Sequence, residues 1–180
     1  MGPKLETTRF RLQLVGEKDH HFFLDLDSDL EVMKYLNGGR ASTVEEVEGA
    51  IERIKLIFER YQGKFGLWNV FTKETGEFVG WILFRPCKKD PDNLDFIELG
   101  YRLKQKWWGK GVATELSLHM LDYGFNDLNV QDIFADTLLN NIGSQGVMKK
   151  IGMKFVKEFD HDEIIGDSGS RCVRYSIGKL

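Results

Sequence analysis

Leu99-Gly100-Tyr101-Arg102-Leu103-Lys104-Gln105-Lys106-Trp107-Trp108-Gly109-Lys110-Gly111-Val112-Ala113-Thr114-Glu115 is the stretch on which the reading of this chain turns. Its apolar beginning reads as the end of a strand, its two glycines as a turn, and its last residues as the start of an amphipathic helix. A helix start carries unpaired N–H groups and a partial positive charge, which together suit a phosphate. Glycines let the backbone approach an anion with no Cβ in the way, and Lys106 and Lys110 add charge. The spacing is not GxxxxGK[ST], and GxGxxG is incomplete, so neither nucleotide fingerprint applies. Two readings remain at this point: an anion cradle, or turn glycines ahead of an ordinary helix.

Working outward, Phe96 to Leu103 is the strand that feeds this turn, and the helix runs on to Phe125. Upstream, Leu67 to Thr72 and Phe78 to Phe84 flank the polar Lys73-Glu74-Thr75-Gly76-Glu77, a hairpin pattern that Pro86 closes. Thr43 to Tyr61 is the clearest helix, with Val44, Val47, Ile51, Ile54 and Phe58 at helical spacing and a Thr43/Glu46 capping-box pair at its start. Phe10 to Leu14 alternates as a strand. Two helical pieces follow, one around Phe22 to Leu30 and one around Val32 to Leu36, ending at Asn37-Gly38-Gly39. Downstream come a strand at Ile133 to Thr137, a helix at Ser144 to Ile151, and two strands near Phe155 and Tyr175. Alternating strands and helices predict an α/β (α+β) fold: one domain over 1–180 with a core of about 8–178, and a mixed central sheet of about seven strands flanked by about four helices.

Composition narrows the function classes. At 42% hydrophobic and 29% charged residues the chain reads as an ordinary globular protein. A net charge of −3 argues against a nucleic-acid partner, which wants a basic surface. No run of about 18 apolar residues suggests a membrane span. Met1 to Glu6 contains no apolar signal segment, and Cys87 and Cys172 are too few and too far apart for a disulfide scaffold. Cytoplasmic localisation is the expectation. His20, His21 and His119 lack metal-ligand spacing, and no metal is expected.

Lys106-Trp107-Trp108-Gly109-Lys110-Gly111 resembles motif A of the GNAT acetyltransferases, Q/R-x-x-G-x-G/A, with Lys at the first position, where a guanidinium fork is lost but charge is kept. The following Ala113-Thr114-Glu115 is similar to the RimJ/RimL-like branch, which acetylates ribosomal-protein N-termini. So are Lys4 to Arg9, Asp29 to Leu36, Ile97 to Tyr101, the N-x-x-S at Asn141-Ile142-Gly143-Ser144, and Met148-Lys149-Lys150-Ile151-Gly152-Met153. These matches span nearly the whole chain in order. The resemblance implies a mostly antiparallel sheet that splays to admit acetyl-CoA, and acetyl transfer to a primary amine by direct attack in a ternary complex. It implies a cofactor site over Tyr101, Arg102 and Leu103, over Lys106, Trp107, Trp108, Gly109, Lys110, Gly111, Val112, Ala113 and Thr114, and over Asn141 and Ser144. It also implies a monomer or homodimer.

The chemistry needs a neutral amine, a stabilised oxyanion and a thiolate able to leave. A lysine-type amine, with a pKa of about 10.4, is almost wholly protonated at pH 7, whereas an α-amine near 8 is about one-tenth neutral. A base matters more for the first. Glu98 is the candidate base, on the strand before the loop; its other reading is a structural ion pair. Ser144 is the candidate acid, by resemblance, or else a helix cap, since Asn141 and Ser144 are both cap-forming types. By resemblance Asn141 bonds the pantetheine arm. Trp68 and Trp81 read as core, one of them a possible wall of the acceptor pocket. Asp160-His161-Asp162-Glu163 is a solvated loop or a carboxylate patch at the acceptor end. The acceptor is a protein or peptide α-amine by resemblance, with polyamines, aminoglycosides and a catalytically inactive CoA-binding module as alternatives.

Overall fold

The computed structural model describes residues 4–160 and 171–179. Its elements are β1 (Leu5–Glu6), β2 (Phe10–Leu14), α1 (His20–Asp27), α2 (Leu30–Met33), α3 (Val44–Arg60), β3 (Gly66–Thr72), β4 (Phe78–Pro86) and β5 (Phe96–Leu103), then α4 (Val112–Asp122), β6 (Asp132–Leu138), α5 (Ile142–Lys150), β7 (Lys154–Asp160) and β8 (Arg171–Gly178). The strands form one sheet in the order β1-β2-β3-β4-β5-β6-β8-β7. Every neighbouring pair is antiparallel except β5 and β6. The sheet has eight strands rather than seven because the two-residue β1, too short to show a pattern, pairs Leu5 with Leu12. The two early helical pieces are separate, as read: Asp29 caps α2 by accepting from the Glu31 N–H, which makes five α-helices among the described residues.

Strand alternation sorts the core into two layers. On β3, Leu67 and Phe71 point to α1 and α3, packing with Val15, Phe23, Val47, Ile51 and Ile54, or with Leu26, Val32 and Phe78. Trp68 and Val70 point the other way and join Ile82, Phe84, Leu116, Met120 and Met148 under α4 and α5. Helices therefore cover both faces of the middle of the sheet, which is why β3 is buried along its whole length. The register slips between Val70 and Phe71 opposite Gly80. There a Cβ would lie 2.1 Å from the Arg102 carbonyl oxygen, so only glycine lets β4 approach β5 this closely.

The capping box at α3 is present as Thr43 and Glu46, each covering the other's backbone N–H. The α4 pattern ends earlier than the sequence predicts: regular helix stops at Asp122 and a π turn covers Tyr123–Asp127. Gly124 sits there against Phe84 and Ile133, whose atoms would lie 2.7 and 2.8 Å from a Cβ. Helix α5 begins at Ile142, two residues ahead of the predicted Ser144. Among the described residues no helix is long and apolar enough to cross a membrane.

Candidate active site

The site begins with a sheet that parts. β5 and β6 pair only as Phe96 with Asp132, Ile97 with Ile133 and Glu98 with Phe134. Beyond Glu98 the two strands separate, so β5 from Leu99 to Leu103 has a backbone edge that β6 does not use, while β4 holds its other edge. A cavity of about 750 Å³ runs through this parting, within the usual range for a small-molecule site.

On one side of the sheet the cavity meets α4. Gly111 caps that helix at φ +73°, and no side chain bonds its first-turn amides. α3 and α5 are both capped by a side chain of their own. The four amides left unpaired at a helix start belong here to Gly111, Val112, Ala113 and Thr114, and all four residues line the cavity. Gly109 is also at positive φ (+69°) and also lines it. Glu115, the acidic residue of the first turn, is turned away: its carboxylate accepts from the Thr7 hydroxyl at 2.6 Å and from Arg9 Nε at 2.6 Å. Partial burial alone would raise its pKa, but those bonds hold the Glu115 carboxyl below the usual carboxylate range.

The α5 wall lies opposite. Asn141 accepts from the Ser144 N–H at 3.1 Å and is the cap of α5, so Ser144 is the third residue of the helix and not a cap. This corrects the cap reading of Ser144. Its hydroxyl instead meets the Tyr101 hydroxyl at 3.4 Å, and both residues line the cavity. Burial pushes the Tyr101 phenol up, with the Ser144 bond opposing it, so the phenol keeps its proton at neutral pH. Ser117, wholly buried on α4, also faces this cavity, and its Oγ has no hydrogen-bond partner.

Through the parting, the other face of the sheet carries the carboxylates. Glu98 and Arg102 alternate away from Leu99, Tyr101 and Leu103. Glu98 accepts from Arg85 through Nε at 3.0 Å and Nη2 at 2.7 Å, both bonds falling on Oε2. Asp136, which the sequence reading missed, lines the same end, but Arg174 holds both its oxygens, at 2.8 and 2.7 Å. Arg102 pairs with the buried Asp27, which also accepts from Ser42 at 2.6 Å, and lies 4.9 Å over the Trp81 ring. Glu31, Val32, Tyr35, Leu36, Trp81 and Leu83 complete this end.

The residues expected from the sequence thus gather around one cavity, with two exceptions. The Lys106 and Lys110 side chains do not line it: Lys106 pairs with Glu77, and the Lys110 ammonium lies 5.5 Å over the Trp107 ring. Trp81 lines the cavity, while Trp68 is buried in the core. His20 and His21 are exposed, and among the described residues no group of three His, Cys, Asp or Glu converges as a metal site. Of the acidic loop, only Asp160 falls within the described residues. Asp136 carries no sequence signal beyond its place two residues after a strand-centre aromatic.

A parted mixed sheet with an uncapped, glycine-led helix at the parting suits an extended ligand with an anionic end, and known proteins say which enzymes are built this way. Residues 9–154 match the acetyltransferase (GNAT) domain model, and the chain belongs to that family. It is 33% identical over 161 residues, 87% of this chain and 67% of the relative, to the FsC-acetyl coenzyme A-N(2)-transacetylase of Aspergillus fumigatus. It is also 33% identical to the uncharacterized protein YkkB of Bacillus subtilis, covering 86% of this chain and 87% of that protein. Among solved structures it superposes on RimL, the ribosomal L7/L12 alpha-N-protein acetyltransferase in complex with coenzyme A, with a TM-score of 0.80 at 15% identity, covering 96% of each chain. At that identity the likeness is one of fold.

Proposed function

We propose that this acetyltransferase moves the acetyl group of acetyl-CoA directly to a primary α-amine, with both substrates bound at once in the parted sheet. The observation that carries this is the single cavity joining the uncapped start of α4 to Glu98 through the gap between β5 and β6. The residues present fit CoA. The amides of Gly111, Val112, Ala113 and Thr114 suit a pyrophosphate, and the open edge of β5 from Leu99 to Tyr101 suits the amides of an extended pantetheine arm, while the Leu103 carbonyl accepts the Trp108 indole N–H at 2.9 Å. Acetyl-CoA supplies the activated thioester.

The chain's own residues divide the proton chemistry between the two faces. On the acceptor face Glu98 keeps Oε1 clear of the Arg85 bonds, whereas both oxygens of Asp136 are occupied, so Glu98 takes the proton of the incoming amine. On the cofactor face the protonated Tyr101 and Ser144 stand where the thiolate leaves, and their hydroxyl pair returns a proton to it. The α-amine assignment draws on similar proteins, one an N(2)-transacetylase and one a protein α-N-acetyltransferase.

The test is turnover with three acceptors: a peptide with a free N-terminus, the same peptide with that terminus blocked and a lysine free, and a polyamine. The first should be acetylated, with a rate that levels off near pH 8, whereas a lysine-type amine would still be climbing near pH 10. Acetylation of only the polyamine would overturn the α-amine reading. No turnover with any amine, alongside CoA binding that Gly111→Glu abolishes, would leave a CoA-binding module.

A further inference from the structure

Arg9 stands in the turn between β1 and β2, a hundred residues before the glycine loop, and lines no part of the cavity. Yet it is the most heavily bonded side chain beside that loop. Its Nη1 and Nη2 each donate to the Lys110 carbonyl oxygen at 3.2 Å. Its Nε donates to Glu115 Oε2 at 2.6 Å, and its own backbone N–H donates to Glu115 Oε1 at 3.0 Å. Thr7 fixes the same carboxylate from the other end of the turn. The guanidinium carbon lies 5.0 Å over the Phe10 ring, and Phe10, fully buried, meets Trp107 edge to face at 6.0 Å.

We propose that Arg9 is the positioning residue of the phosphate loop, holding the Lys110–Gly111 peptide so that the Gly111 N–H faces the cavity. This rests on the reading that the start of α4 binds the pyrophosphate of CoA. The reasoning starts from peptide geometry. No peptide bond in the described chain is cis, and in a trans peptide the carbonyl and the next N–H point in opposite directions. Two guanidinium bonds pull the Lys110 carbonyl outward, so the Gly111 N–H is directed inward, where Gly111 lines the cavity and Lys110 does not. Left without those bonds, Gly111 at φ +73° has the widest conformational freedom of any residue type and the peptide can flip.

Charge makes the second argument. Glu115 lies in the first turn of α4, where a free carboxylate is attracted to the same partial positive charge that would hold a phosphate. Arg9 and Thr7 draw that carboxylate aside, and the guanidinium neutralises it. One side chain thus aims a donor at the ligand and removes a competitor for it. A lysine cannot do both, because a single ammonium lacks the fork that reaches Lys110 and Glu115 together.

The experiment compares wild type with Arg9→Ala, Arg9→Lys and Glu115→Gln. Two donors are used: acetyl-CoA, and S-acetylpantetheine, which lacks the pyrophosphate and adenosine. For Arg9→Ala the Kd for CoA and the KM for acetyl-CoA should rise about tenfold. The KM for the amine and the kcat at saturating acetyl-CoA should stay within about twofold, as should kcat/KM with S-acetylpantetheine. Arg9→Lys should recover only part of the loss, and Glu115→Gln, which loosens the Nε anchor of Arg9 while also removing the competing charge, should weaken CoA by a smaller factor in the same pattern. Equal losses with both donors, or a lower melting temperature with unchanged CoA affinity, would make the cluster a structural strap and overturn the proposal. If Arg9→Ala does not fold, Arg9→Lys and Glu115→Gln still decide by the ratio between the two donors. Wild-type protein that does not bind CoA would instead remove the reading beneath it.

Discussion

Asn141→Ala and Ser144→Ala separate helix capping from chemistry, because Asn141 caps α5 and the proton-transfer role is proposed for Ser144. Asn141 accepts the Ser144 N–H at 3.1 Å and is the only side-chain cap of α5. Losing such a cap costs about 1 kcal/mol, which in a chain of this size lowers Tm by about 2–4 °C. Ser144 contributes only a 3.4 Å contact with Tyr101, longer than a normal hydroxyl hydrogen bond. Ser144→Ala should therefore cost a few tenths of a kcal/mol and move Tm by less than about 2 °C. Its effect belongs in the rate. Tyr101 keeps its proton but loses the partner that relays it, so kcat should fall about tenfold or more, with KM for acetyl-CoA little changed. Scanning calorimetry and steady-state kinetics on the same preparations, with rates measured at least 15 °C below the lower Tm (a margin of about four such shifts), read both quantities. If Ser144→Ala lowers Tm as far as Asn141→Ala, or leaves kcat per folded molecule intact, the assignment of Ser144 to proton transfer is wrong.

Two further outcomes follow from the site. Glu98→Gln keeps the shape and an acceptor for Arg85 but cannot take a proton; kcat/KM should drop by about 10²–10⁴, whereas Asp136→Asn should cost far less. Burial, helped by the Asp136 and Asp160 carboxylates, pushes the Cys172 thiol up to about 11. Native protein at pH 8 should therefore release one fast equivalent of thiol, from the half-buried Cys87, to a disulfide reagent. Because the folded thiol is the weaker acid, stability should be flat below about pH 8.5, the unfolded value, and fall as pH rises through about 11. Two fast equivalents, or a flat alkaline limb in Cys172→Ser as well as wild type, would contradict this.

Much of the fold is legible in the order of residues alone. The strand Phe96 to Leu103 and the capped helix from Thr43 announce themselves locally, through alternation and through a reciprocal cap, and both stand as read. Gly109 and Gly111 are legible because positive φ demands them. What the chain does not show is who meets whom across it. Arg9 and Glu115 are separated by 106 positions and look like surface charges until the sheet brings them together. Asp136 is one acidic residue in a strand, and only its neighbours on the acceptor face give it meaning. Asn and Ser are interchangeable as cap types, so three residues of spacing cannot say which of Asn141 and Ser144 does the capping; one hydrogen bond does. The early end of α4 has no local signal; the tight fit of Gly124 against Phe84 and Ile133 of the sheet is visible only once the chain is folded.

The parting of β5 and β6 after Glu98 has a kinetic meaning as well as a geometric one. A gap that opens to both faces gives the two substrates of the proposed reaction separate approaches to one cavity. With acetyl-CoA as the proposed filling, an ordered sequence would have the donor bind first, the acetylated amine depart first and free CoA go last. Since CoA and acetyl-CoA differ only in the acetyl group on sulfur, the spent carrier would compete directly with the loaded one. The enzyme's throughput in a cell would accordingly follow the ratio of the two rather than the amount of either, and would slow whenever acetyl groups run short even with amine in plenty.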